Sequence, residues 1–275
     1  MKSLSYIKGL LVITFLTFSL SLLHSQDNSD NTYVPQVGQR GKDVVWVPTP
    51  QELVDTMLSI AKVTPKDVLI DLGSGDGRTV ISAAKIGAQA TGVEFNPDMV
   101  ALSRRNAEQA GVGSRAQFIE GDLFQADLSK ATVITMFLLP EINLRLRPKL
   151  LDLKPGTRIV SNTFTMGEWE PDIEVNTVDN WNSWNTALLW IIPAKVEGTW
   201  RIGNDELSLS QDFQFVRGTF TSNGQTTAVS DGRLNGNEIV FTLGTTKYQA
   251  RVDGNNMTGT ASNASNKWNW KAVRK

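Results

Sequence analysis

Residues 67–78 read DVLIDLGSGDGR, an apolar run that ends on an acidic residue and passes into three glycines separated by single residues. Val68, Leu69 and Ile70 are uninterrupted by polar residues, the pattern of a strand covered on both faces of a parallel sheet. Asp71 closes that strand. Gly73, Gly75 and Gly77 supply the positive-φ backbone of a tight turn and leave space for a ligand where a Cβ would intrude. A helix is expected to follow, and its start at Asp76 to Arg78 aims unpaired N–H groups at whatever lies over the glycines.

Strand, glycine turn and helix together indicate a nucleotide-type site, and the spacing separates the kinds. The dinucleotide fingerprint is GxGxxG, whereas this run is GxGxG with an acidic residue two places before the first glycine. It resembles motif I of the class I S-adenosylmethionine (SAM) methyltransferases. The resemblance implies that Asp71 lies near the methionine end of SAM. It also implies that the loop of Gly73, Ser74, Gly75, Asp76 and Gly77 passes beneath the adenosine and methionine.

The 275 residues are 40% hydrophobic and 20% charged, with a formal net charge of -1, a globular composition for one or two domains. No cationic surplus argues for a nucleic-acid partner. There is no cysteine, which excludes disulfides, thiolate zinc sites and a cysteine nucleophile, and no metal site is expected. The single histidine, His24, directly follows an apolar stretch at 9–23 that Lys2 and Lys8 precede. At fifteen residues this is short for a spanning helix and matches a signal-peptide core, so residues 1–25 are read as an export signal, or as an uncleaved anchor keeping the protein near a membrane. Without that segment the chain has neither histidine nor cysteine, which excludes Ser-His-Asp hydrolysis and leaves chemistry that a bound cofactor carries.

Residues 26–43 read as a polar, solvated lead-in. Thr49, Pro50 and Glu52 then form the signature of a capping box with proline at the first helical position, and Leu53, Met57, Leu58 and Ala61 recur at helical spacing. The segment Trp46, Val47, Pro48 either packs this helix onto the domain or, by the resemblance, lines the cofactor site with Pro48 and Thr49. The second strand, 90–95, carries Glu94 at its end, 21 residues after Gly73, the distance at which an acidic residue meets ribose hydroxyls in Rossmann-type sites. A plain strand-end surface charge is the alternative. A helix from Asn96 and Pro97 to Ala110 leads to the third strand. Asp122 follows it and is either a turn cap or, by the resemblance, the adenine contact together with Leu123 and Phe124.

The fourth strand, 131–140, ends in the run Leu138, Leu139, Pro140, Glu141, Ile142, Asn143, where the substrate side of the pocket should begin. Methyltransferases acting on exocyclic amines of adenine or on glutamine carry Asn/Asp-Pro-Pro-Tyr there, and this chain does not. Glu141 is the best-placed carboxylate for taking a proton or orienting substrate, with Asn143 beside it. Strands at 157–164, 172–178 and 186–194 complete a seven-stranded α/β sheet with helices between the strands, a Rossmann-like methyltransferase domain at 44–195.

Within the class, VPTPQELVDTML, DLGSGDGR, LLPEINLRLRPKL and PGTRIVSNTF resemble the small protein-lysine methyltransferases of the ATP synthase subunit and adenine nucleotide translocase type and their bacterial relatives. The resemblance implies SAM as cofactor and a lysine amine as acceptor. A small-molecule acceptor and an exported, non-catalytic binding protein are the other readings, and the glycine spacing disfavours a nicotinamide oxidoreductase.

From residue 197 the helical period disappears. Apolar and polar residues alternate between NG, DG and GN turns through 197–275, the pattern of a β-meander closing into a small barrel or sandwich. Its core is expected from Trp200, Leu207, Leu209, Phe213, Phe215, Phe220, Val240, Phe241, Tyr248, Val252, Met257, Trp268 and Trp270. The domain is either a structural cap or a module that binds a ligand or partner.

Overall fold

The run that opens at Val68 becomes the middle of the main sheet because helices cover both of its faces. The structure is a computed structural model that describes residues 33–178 and 184–275. The export segment and residues 26–32 of the lead-in lie outside the described residues. Strand β1 (Val68–Leu72) pairs in parallel with β2 (Gln89–Glu94) on one side and β4 (Val133–Met136) on the other. Strand β3 (Ala116–Glu120) lies outside β2, and β5 (Arg158–Asn162) outside β4. Strands β6 (Ile173–Asn176) and β7 (Thr186–Ile191) add antiparallel, giving the order β3-β2-β1-β4-β5-β7-β6. The order reverses between β1 and β4, and a doubly wound sheet takes its ligand in the crevice over the carboxyl ends at such a point.

The helices are α1 (Gln51–Ile60), α2 (Arg78–Ile86), α3 (Pro97–Gln109) and α4 (Pro140–Leu151). Alternation along the strands sends Leu69, Val133 and Val160 to one core with Leu53, Met57 and Val80, and sends Ile70, Ile134 and Ile159 to the other with Leu146 and Leu150. Helices do not separate every pair of strands. Among the described residues, turns alone join β3 to β4, and no helix stands between β5 and β7.

Two local expectations are corrected. Pro50 occupies the N-cap of α1 and no side chain caps it, so there is no capping box. Thr49 lies one residue too early, and its Oγ1 instead accepts from Asn162 Nδ2 at 3.4 Å. The lead-in is not wholly solvated either. Gly38 N donates to Trp46 O and Trp46 N to Gln39 O, both at 2.9 Å, folding residues 38–46 into a tight antiparallel loop. Lys42 at its tip pairs with Asp122 at 2.7 Å and lies 4.7 Å from the centre of the Phe95 ring, which draws the loop over the sheet.

After Val196 the chain forms β8 (Gly198–Ile202), β9 (Asp205–Asp212), β10 (Phe215–Ser222), β11 (Gln225–Asn235), β12 (Glu238–Leu243), β13 (Thr246–Asp253), β14 (Asn256–Ser262) and β15 (Lys267–Arg274). Each pairs antiparallel with the next and β15 returns to β8, so the meander closes into a barrel. Trp200, Phe241 and Met257 fill its interior, with Tyr248 stacked on Phe241 at 5.0 Å and Trp270 edge-on to both. Strand alternation turns Ile239 inward and leaves Val240 half-buried, while Trp268 stands exposed. Phe215 is likewise half-buried, with the Arg233 guanidinium over its ring.

Phe213, expected in the barrel core, packs instead against the sheet. Its ring stacks on Trp169 at 5.6 Å and an interplanar angle of 12°. Beside it the wholly buried Gln214 accepts from Trp169 Nε1 at 3.0 Å and donates to Glu170 O at 2.8 Å. An Arg233–Asp172 ion pair at 2.8 Å closes the joint. Residues 34–275 form one compact unit, with sheet and barrel bolted together through Trp169.

Candidate functional site

A cleft lies over the carboxyl ends of β1 to β5, and its shape is set first by the glycine loop. Gly73 N and Ser74 N both donate to Val93 O, at 2.9 and 3.1 Å, which folds the loop back onto β2. Gly73 and Gly75 have φ of 76° and 53°, the left-handed region that a side chain disfavours. A Cβ at Gly75 would stand 2.6 Å from Trp46 Nε1, and one at Gly73 would stand 3.2 Å from Leu138 Cδ2. Both positions therefore hold the cleft open.

Gly77 has another task. It caps α2 with φ 83°, lies outside the cleft, and a Cβ there would meet Phe118 Cζ at 2.7 Å and Ser103 Cβ at 2.9 Å. Its missing side chain lets α2 approach α3 and β3, a packing role that the glycine spacing did not announce. Ser74 lines the cleft, yet its buried hydroxyl packs over Gly92, where a Cβ would lie 2.4 Å from Ser74 Oγ. Gly92 is thus required by the loop, and nothing in the GxGxG pattern marks it.

Three carboxylates stand at three strand ends, as their spacing suggested. Asp71 is buried and accepts from Thr135 Oγ1 at 2.7 Å. Desolvation by burial pushes its pKa up to about 7; Glu94 and Asp76 nearby add to the rise and the Thr135 hydrogen bond opposes it. Glu94 accepts from Gly75 N at 3.0 Å and from Asn96 N at 2.9 Å, clamping the glycine loop to the start of α3. Its remaining lone pairs are available to donors such as hydroxyls. Asp122 accepts from Lys42 Nζ and, at 2.8 Å, from Phe124 N, which hold its carboxyl below the usual carboxylate range. It is a turn cap and a cleft residue at once.

Asp76 and Arg78 form a 2.6 Å ion pair, and Arg78 Nη1 reaches Thr49 O at 2.8 Å. That contact brings Pro48 and Thr49 into the same cleft as Asp71, Gly73, Ser74, Gly75, Asp76, Glu94, Asp122 and Leu123. Phe124 does not join them; its ring lies under the Arg145 guanidinium, 3.7 Å from its centre. Glu141 and Asn143 also fall outside. Glu141 is exposed on the first turn of α4, while Asn143 is wholly buried and donates to Phe164 O at 3.1 Å and Thr165 O at 3.2 Å. The α4 start turns Asn143 toward the core, where backbone carbonyls consume its amide.

Lys42, Phe95, Phe137, Phe164 and Trp184 line the cleft without any local sequence signal. Phe137 follows an apolar strand, and Phe164 and Trp184 come from distant parts of the chain.

The donor set indicates what such a cleft accepts. A glycine cradle that Cβ atoms would fill, ionisable carboxylates at Asp71 and Glu94, and apolar walls at Val93, Met99, Leu123 and Met136 suit a ligand with a cationic end, hydroxyls and a flat ring. These features fit SAM.

Comparison with known proteins agrees. A family model described as the ANTKMT methyltransferase domain matches residues 71–173, from Asp71 to the start of β6. A protein-lysine N-methyltransferase of Saccharolobus islandicus (strain REY15A) is 44% identical over 164 residues, which cover 58% of this chain and 97% of that relative. The chain belongs to the ANTKMT-type methyltransferase family. Its cofactor is SAM, and its sheet domain is a SAM-dependent methyltransferase. An RNA methyltransferase from Salinibacter ruber, solved with S-adenosylhomocysteine (SAH), is 49% identical with a TM-score of 0.52, covering 55% of this chain and 96% of that one. The adenine nucleotide translocase lysine N-methyltransferase of Mus musculus is 35% identical over 130 residues, 46% of this chain and 56% of the relative. Because 164 residues account for 97% of the Saccharolobus relative, that protein has no length left for a counterpart of the barrel.

Proposed function

We propose that this methyltransferase modifies the ε-amino group of a lysine side chain in a protein. The observation that carries the reading is the apolar wall at the end of the cleft over β4 and β5, made by Phe137, Leu138, Leu139 and Phe164. An ammonium entering such a wall is desolvated, which lowers its pKa and frees the lone pair needed for attack. The protein-lysine methyltransferases among its relatives support the same acceptor.

Bound SAM supplies an electrophilic methyl group on a sulfonium. The chain supplies position and solvent exclusion. In this assignment Asp71 serves the cationic methionine end, Gly73 to Asp76 the cradle, Glu94 the ribose hydroxyls, and Asp122 with Leu123 the adenine. Pro48 and Thr49 close the cleft from the α1 side. Glu141, exposed beside Leu139, serves to orient the acceptor protein at the rim.

The test is to incubate the purified protein with methyl-labelled SAM and cell-envelope fractions, then locate the label. Label on a lysine side chain is expected, and label confined to RNA, a small molecule or another side chain overturns the assignment. The RNA outcome is the second reading, motivated by the description of the Salinibacter relative. The formal net charge of -1 disfavours it, since phosphate binding draws on surplus cations. From the apolar stretch at 9–23 that follows Lys2 and Lys8 we further propose export, tested by fractionating cells and sequencing the amino terminus of the recovered protein.

A further inference from the structure

The cleft has two unlike halves. Over β1, β2 and β3 it presents carboxylates, with Phe95 engaged by Lys42, whereas beyond β4 and β5 it presents rings and, among the described residues, no carboxylate. Phe137 follows the end of β4, Phe164 stands two residues past β5, and Trp184 two residues before β7. Phe137 and Phe164 stack with centroids 6.0 Å apart at 21°, and Trp184 meets Phe137 edge-on at 5.8 Å and 64°. All three are half-buried and line the same cleft. Among the described residues at that end, Met136, Leu138 and Leu139 complete the wall, and none carries a carboxylate.

The turn that presents Phe164 is built rather than incidental. Thr163 has φ 60°, a conformation that a β-branched residue adopts only under constraint. Its N–H donates to Thr186 O at 2.7 Å, and its Oγ1 donates to Asn162 Oδ1 at 2.9 Å. The Phe164 carbonyl accepts from Asn143 Nδ2 and from Ser161 Oγ, at 3.1 and 2.8 Å. Buried donors from two elements thus hold a strained turn whose outcome is the aim of one ring, the pattern of strain retained for function.

We propose that Phe137, Phe164 and Trp184 form an aromatic cage that grips the alkylammonium head of the acceptor lysine through its successive methylation states. This rests on the lysine reading above. In the transfer the nitrogen lone pair forms the N–C bond, the C–S electron pair returns to sulfur, and the positive charge passes from sulfonium to the new methylammonium. An N–H proton leaves to water before a further methyl is added. The charge therefore arrives on the side of the cleft where ring faces, not carboxylates, meet it. Ring faces attract a diffuse quaternary cation without needing the hydrogen bonds that methylation removes, whereas the compact, strongly hydrated ammonium of the unmethylated lysine loses more on desolvation than the rings return and is still driven to release its proton.

The experiment uses the SAH-loaded full chain and isothermal titration with two probes: Nα-acetyl-Nε-trimethyl-lysine methylamide, and its neutral isostere with carbon in place of the quaternary nitrogen. The cation is expected to bind about tenfold more tightly than the isostere. In Phe137→Leu and Phe164→Leu, each first shown to bind SAH, the preference should shrink to about twofold or less, because leucine keeps the apolar bulk and removes the ring. If neither variant binds SAH, Trp184→Leu supplies the same comparison. No preference in the unaltered chain, or a preference that survives the ring removals, overturns the cage. The two readings fail separately. Lysine labelling without the preference removes the cage alone, whereas a ring-dependent preference with no lysine labelling keeps the cage and removes the lysine assignment.

Discussion

Asn143, wholly buried on α4, donates to the carbonyl of Phe164 at 3.1 Å. The bond ties the first turn of α4 to the ring at the far end of the cleft. Asn143→Ala should leave the Phe164 and Thr165 carbonyls short of a buried donor and lower stability by ~2–3 kcal/mol in urea unfolding. If Asn143 acts only through that turn, the KM for the acceptor rises while SAH affinity holds. A fall in kcat at unchanged acceptor KM would instead restore a role in the chemical step.

Gly75→Val places a β-branched side chain at φ 53° and drives its Cβ to 2.6 Å from Trp46 Nε1. SAH affinity should fall by about a hundredfold or more, while backbone strain of ~1–3 kcal/mol leaves the fold intact. Calorimetric titration and far-ultraviolet circular dichroism check the two halves. Glu94→Gln gives a milder version. The amides of Gly75 and Asn96 both lose a charged acceptor and one of them is left facing an NH2 group, so affinity should drop by about tenfold or more.

Asp71 predicts an unusual pH dependence. Its ordinary pKa of 3.8 rises to about 7 through burial, with Glu94 and Asp76 contributing. Between those values the folded chain keeps the proton and the unfolded chain does not, so this group's contribution to stability falls as pH rises from 4 to 7 and is level above. At ~1.4 kcal/mol per unit the upper bound is ~4 kcal/mol. Asp71→Asn should therefore gain stability over the unaltered apoprotein progressively from pH 5 to pH 8, and equal gains at both values would contradict the assignment. SAM is cationic at its sulfonium and favours ionised Asp71, so its Kd should rise by up to about tenfold per pH unit below 7, and Asp71→Asn should flatten that slope.

Gln214 is the hinge point of the joint between sheet and barrel. Gln214→Ala leaves Trp169 Nε1 and Glu170 O without their partners in a buried setting. A loss of ~2–4 kcal/mol is expected. Limited proteolysis should then cut near residues 192–198, where the barrel joins the sheet. Unchanged stability and an unchanged digestion pattern would mean that the Phe213–Trp169 stack and the Arg233–Asp172 pair secure the two parts without Gln214.

How far these features could be read from the residues depends on how local their causes are. The GxGxG turn is a short-range pattern, since a strand end and a helix start lie within a few residues of each other, and Glu94 and Asp122 follow from it by counting one and two strand–helix–strand units along the chain. The β-meander was legible from turn spacing for the same reason, while barrel and sandwich stayed open until β15 was seen to pair with β8. Inward and outward positions were harder. Val240 was misplaced because neighbouring strand residues face opposite ways and Ile239 and Phe241 take the inward places, whereas Trp268 shares a face with the buried Trp270 and is exposed because it stands near the start of β15.

By itself, then, the chain's order of residues determined a SAM-type cradle, the α/β sheet that carries it, and a separate run of β-structure behind. Tertiary structure alone decided that Gly77 serves packing, that Asn143 is a buried donor, that Phe213 belongs to the joint, and that Lys42 folds back onto Asp122. Each depends on groups tens of residues apart meeting in space. The rings of Phe137, Phe164 and Trp184 are the clearest case: no spacing links them, and it takes the parallel pairing of β4 with β5 to bring Phe137 beside Phe164 and the antiparallel return of β7 beside β5 to add Trp184 at the same end of the cleft.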